Sequence, residues 1–175
     1  MRKSIFLFVS LVSFSAFSYD KHEETFQHLF GLAGQWQGKY PDGQTVDVDY
    51  KSISGGYALL EFWTMSANRT SITVYTIDEG KLNLTHYCPQ GNQVRLVLND
   101  KEWSQGNYKF DFVHASNNDN IDRSHLFNTH LSFISEQKFS RSEDYKLNRK
   151  VDEFDFGQKV IFTKINLKHE LQQNL

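Results

Sequence analysis

The sequence predicts an all-β domain, a closed or nearly closed antiparallel barrel of about ten strands with one short N-terminal helix. Three observations carry that expectation. Beyond Leu32 the apolar residues recur with period two, as they do on half-buried strands. Turn-forming clusters such as Pro41-Asp42-Gly43, Ser54-Gly55-Gly56, Asp78-Glu79-Gly80 and Pro89-Gln90-Gly91-Asn92 interrupt them at roughly the spacing of a sandwich or barrel. So many short-linked strands favour closure, because an open sheet of that width would leave two exposed edges.

The helix is expected over Asp20 to Leu32. Phe26, Leu29, Phe30 and Leu32 form its apolar stripe, Glu23 and Glu24 lie near its start, and Gly31 and Gly34 mark its end. It suits a lid or plug. Strands are expected near Gln35 to Tyr40, Thr45 to Ile53, Tyr57 to Met65, Thr70 to Ile77, Lys81 to Cys88 and Gln93 to Asp100. Four more are placed near Asn107 to Ala115, Leu126 to Ser135, Gln137 to Leu147 and Gln158 to Ile165. Lys150 to Gly157 is read as a loop or helical turn. There is no internal repeat and no second-domain boundary.

Ahead of this domain, Arg2 and Lys3 precede an apolar run that closes on Ala16-Phe17-Ser18. This is the pattern of a secretory signal peptide over residues 1 to 18, leaving a single domain over 19 to 175 and a periplasmic or secreted location. The run is too short and too serine-rich for a membrane anchor, which needs about 20 apolar residues, so no span is expected in the mature chain. Losing Arg2 and Lys3 would move the formal charge from −2 to −4. An acidic chain without basic clusters is not expected to bind nucleic acid. Cys88 is the only cysteine, which rules out an intramolecular disulfide. A monomer or a dimer is expected.

Strand parity assigns faces. Leu82, Leu84, His86 and Cys88 share one face, and Tyr108, Phe110, Phe112 and His114 share another, so His86 and His114 are both expected inside. Phe127, Leu131 and Phe133 point inward and leave His130 outside. Phe139, Arg141, Glu143 and Tyr145 share a parity that aims Arg141 at the interior. The row Tyr57, Leu59, Glu61, Trp63, Met65 alternates with the equally apolar Ala58, Leu60 and Phe62, so its facing stays open.

The densest concentration of chemistry lies between Leu82 and Leu98. The Pro89 to Asn92 turn is expected to fold Asn92, Gln93 and Arg95 back beside His86 and Cys88. Together with His114, Arg141 and Tyr75 they would converge on the polar head of a small apolar or amphipathic ligand, its tail among Phe110, Phe112, Phe133 and Trp63. The same groups also read structurally, with His86 and Arg95 bonded to backbone and to Glu61 or Glu143 inside a narrow barrel. An enzymatic alternative is a metal-dependent or thiol hydrolase using His86, Cys88 and His114, since residues i and i+2 on one strand face can share an ion. No catalytic residues and no cofactor are expected on the main reading; a metal ion belongs to the hydrolase alternative, and a haem on one histidine is a separate, lesser reading.

Gly34-x-Trp36-x-Gly38, Thr73-Val74-Tyr75 and Leu84-Thr85-His86-Tyr87-Cys88 followed by Gly91-Asn92-Gln93-x-Arg95 together resemble a bacterial family of lipocalin-like β-barrel domains of unknown function. The likeness spans most of Leu29 to Lys164. Val94 stands where that family usually has proline. The resemblance implies a calycin-type barrel with an interior cavity and brings no agreed activity. Haem-binding nitrobindins are similar only in architecture, because Lys39-Tyr40-Pro41 follows Gly38 where they space further glycines.

Overall fold

Asp20 starts the first helix by accepting the His22 backbone N–H on its carboxylate at 2.9 Å, and Glu23 and Glu24 complement the dipole of the first turn. In the computed structural model, which describes residues 20–119, 123–147 and 154–165, this helix, α1, covers Lys21–Leu29. A 3-10 turn over Phe30–Leu32 continues it. Phe26, Leu29 and Leu32 are buried, so the apolar stripe of the sequence is the face that docks.

Eleven strands follow among the described residues: β1 (Gly34–Lys39), β2 (Thr45–Ile53), β3 (Ala58–Ser66), β4 (Arg69–Asp78), β5 (Lys81–Tyr87), β6 (Gln93–Leu98), β7 (Asn107–Ser116), β8 (Ser124–Ser135), β9 (Lys138–Leu147), β10 (Phe154–Phe156) and β11 (Val160–Lys164). Neighbours from β1 to β9 pair antiparallel in sequence order. β11 then bridges β9 and β1, closing ten strands into a barrel. β10 is an addition to the expected ten. It pairs with β9 beyond the end of β11, within the stretch expected to be a loop or helical turn. The expected signal peptide lies outside the described residues. No helix among those residues is long and apolar enough to cross a membrane.

The two ends of the barrel differ. At one end α1 packs against β4 and β5, and Trp36 seals the floor, its indole N–H donating to the Leu32 carbonyl at 2.6 Å. His22 fastens the helix by accepting the Leu82 N–H at 3.0 Å, and the Trp103 indole N–H donates to Thr25 at 2.8 Å. The helix is thus a plug. Above it Phe139 and Phe162 stack with ring centres 4.7 Å apart, and Tyr50, Tyr75 and Phe110 are fully buried around them. Gly38 makes that packing possible, because a Cβ there would sit 2.5 Å from the Phe162 ring.

The other end is open. It is ringed by the turns between β1 and β2, β3 and β4, and β5 and β6, with the start of β11 beside them. Between β10 and β11 the ladder along β9 lapses at residues 157–159, and Gly157 N–H donates instead to the Glu143 carbonyl at 2.8 Å. A Cβ on Gly157 would lie 1.9 Å from that oxygen, so only glycine lets the chain approach here.

Candidate functional site

Strand register sets a polar level across the middle of the barrel. Tyr50 pairs with Glu61, Glu61 with Thr73, and Thr73 with His86, so four inward polar side chains stand side by side on β2 to β5. Arg141 reaches this level from β9. Its guanidinium makes a short hydrogen bond to Glu61 and a second to Glu143 at 2.5 Å, and its carbon lies 4.9 Å from the centre of the Trp63 ring. Tyr75 donates to Glu61 at 2.7 Å and Tyr145 to Glu143 at 2.8 Å. Arg141 is 1% exposed and Glu61 not at all, whereas Glu143 keeps 17% of its side-chain surface open.

Two carboxylates therefore share one guanidinium. Burial works against the charge on Arg141, but Glu61, Tyr75 and Glu143 outweigh it and hold the group firmly protonated. Burial likewise opposes the charge on Glu143, yet Arg141 prevails and keeps its carboxyl below the usual range. Burial and the neighbouring carboxylates push the Tyr75 and Tyr145 hydroxyls well up, so both stay donors.

Above this level the open end holds a cavity of about 270 Å³. Tyr40, Trp63, Met65 and Val160 give it apolar walls; His86, Arg141, Glu143 and Tyr145 give it a polar floor. His86 is 3% exposed, its Nδ1 lies 3.0 Å from the Thr73 hydroxyl, and its Nε2 makes no hydrogen bond among the described residues. The Trp63 indole N–H and the Arg141 Nε–H are also unpartnered, but both are shut off from solvent. A wider hollow of about 740 Å³ lies at the plugged end, lined by His28, Trp36, Phe133 and Lys164 among others. None of the unpartnered buried atoms borders it.

Of the residues singled out in the sequence, the structure brings His86, Arg141 and Tyr75 into the interior. Arg95 and His114 are on the outside. Arg95 pairs across the hairpin with Thr85, whose parity is opposite to that of His86, and it bonds Asp78 at 2.6 Å and Asn83 at 3.3 Å. His114 is displaced by a β-bulge. Arg95 faces His114 while Leu96 faces Phe112, so Val113 has no counterpart and the alternation of β7 inverts beyond it. Gln93 is exposed, and Asn92 is buried as a clip, its amide donating to the Ser124 carbonyl at 2.9 Å. The cluster expected from Asn92, Gln93 and Arg95 beside His86 is therefore not formed.

The expected tail region is also divided. Trp63 lines the cavity, but Phe110 packs in the core against Tyr75, and Phe133 stacks on His28 at the plugged end. Phe112 stacks on Phe127, away from the cavity lining. His86 and Cys88 do share the cavity, yet with His114 outside, the three residues of the hydrolase alternative do not converge. Burial pushes the Cys88 thiol up, away from a thiolate. Among the described residues no group of three or more His, Cys, Asp or Glu side chains is placed to hold a metal ion. Glu61, Thr73, Glu143 and Tyr145 belong to the site although the sequence singled out none of them as ligand contacts. The shared parity of Phe139, Arg141, Glu143 and Tyr145 was the available signal for two of them.

These placements yield two expected outcomes. Arg95→Met should shift stability by less than about 1 kcal/mol, because the Arg95–Asp78 pair is 45% and 57% exposed, and denaturant unfolding will read it. The second concerns acid. Burial lowers the His86 pKa, so as pH falls through about 6.5 the unfolded chain, with an ordinary imidazole, takes up a proton before the folded one does. His86 thus contributes a loss of stability on acidification. Between pH 6.5 and 5 the unfolding midpoint of the native chain should drop more steeply than that of His86→Gln; parallel slopes would contradict the buried neutral imidazole.

A scan against protein-family models finds no match for the chain, and a search of curated proteins finds none at significance.

Proposed function

We propose that this protein is an exported binding protein that holds one small amphipathic ligand in the cavity at the open end of its barrel. The observation that carries the reading is the unpartnered Nε2 of the buried His86 at the floor of a hollow with apolar walls. That nitrogen is not one of the wholly buried unpartnered atoms, so it keeps surface toward the cavity and can meet a ligand's polar atom. The volume limits the ligand. A dry cavity of about 150 Å³ accommodates benzene, so about 270 Å³ suits a single substituted ring, not a long acyl chain. The rest of the lumen is filled by Trp36, Tyr50, Phe139 and Phe162.

The proposal includes removal of residues 1 to 18 on export and membership of the lipocalin-like family that the Leu84 to Arg95 segment resembles. N-terminal sequencing of the exported chain should begin at Tyr19; a chain still starting at Met1 contradicts export with cleavage. The binding reading is tested by native mass spectrometry of protein isolated from its own host. A small added mass, lost on denaturation, is expected. Protein at bare mass that also takes up no ring-sized probe such as benzyl alcohol contradicts the reading.

A further inference from the structure

Resting on that binding reading, we infer that the ligand carries a cationic nitrogen, a small ammonium-type group beside an apolar ring or short chain. The first ground is charge. Glu61 and Glu143 share the single guanidinium of Arg141, so the buried cluster holds one more carboxylate than it has cations. Glu143 is the member that lines the cavity, with 17% of its side chain exposed; each of its oxygens accepts one hydrogen bond, from Arg141 and from Tyr145, and keeps capacity for another. The other cation lining the cavity is Arg69, which stands exposed at the rim, where solvent screens it.

The second ground is independent of charge. His86 lies at the same floor, its Nε2 without a hydrogen bond among the described residues. The Nδ1–Thr73 contact serves either tautomer, and an ammonium at the floor selects the one with the proton on Nδ1, donated to Thr73, so that Nε2 presents a lone pair to the cavity. Glu143 and His86 then form a pair of acceptors for one ammonium, and Trp63, Tyr40 and Tyr145 supply aromatic surface around it. An anionic head finds only Arg69, at the exposed rim. Both terminal nitrogens of Arg141 are occupied by carboxylates, and its Nε–H, like the Trp63 N–H, is closed off from solvent.

The test is calorimetric titration of the unaltered protein at pH 7 with three probes of one size: benzylamine, benzyl alcohol and benzoate. Benzylamine should bind about tenfold or more tighter than benzyl alcohol, a charge-assisted contact being worth at least about 1.4 kcal/mol over a neutral one, with benzoate weakest. Glu143→Gln should abolish the amine's advantage. The comparison on the native chain decides alone, so nothing hangs on the variant folding. Benzyl alcohol binding as tightly as benzylamine, or benzoate tighter than either, overturns the cationic ligand while leaving a binding protein. Binding of none of the three overturns both.

Discussion

Arg141→Met is expected to destabilise the fold by about 3 to 5 kcal/mol, the cost of stranding a buried partner charge. Glu61 is wholly buried and Glu143 nearly so, and without the guanidinium they would be left with only Tyr75 and Tyr145 to satisfy them. Part of the loss should return on lowering the pH, because protonating the stranded carboxyls relieves the repulsion. Glu143→Gln should cost much less, since it leaves Arg141 balanced against Glu61. Guanidinium chloride unfolding of the two variants measures the contrast. Equal losses would mean that Arg141 is held by packing on Trp63 and not by its ion pairs.

Trp36→Ala is the other large effect, again about 3 to 5 kcal/mol, as for other buried tryptophans cut back to alanine. Trp36 is 1% exposed, meets Phe139 edge-on at 4.9 Å, and lies under the Lys164 ammonium at 5.2 Å. Its indole N–H also ties the turn after α1 to the barrel floor. Loss of the side chain should therefore loosen the plug, and hydrogen exchange of the α1 amides should accelerate beyond that of the central strands. Unchanged protection of α1 would show that His22 and Trp103 hold the helix without help from the floor.

The fold class was legible because alternation and turn chemistry agree along most of the chain. The site was legible where parity ran unbroken: Leu82, Leu84 and His86 do face inward, and so do Phe139 and Arg141. It failed at a bulge. Tyr108, Phe110 and Phe112 alternate, and nothing in Val113-His114-Ala115 announces that the next step is skipped. Arg95 failed for a different reason, because a turn fixes register, and register here sets Arg95 against outward-facing Thr85. Glu61 could not be assigned from its own strand, whose two faces are equally apolar. What draws it inward is Arg141, 80 residues further along the chain.

On the proposed function, the open-end cavity and not the hollow beside α1 receives the ligand. An NMR titration of the unaltered protein with benzyl alcohol tests it most directly, following the His86 imidazole, the Trp63 indole and the Met65 methyl. Saturable shifts are expected at all three and none at His28 or Phe133. Shifts confined to His28 and Phe133, or no saturable shift at the cavity residues, would contradict it.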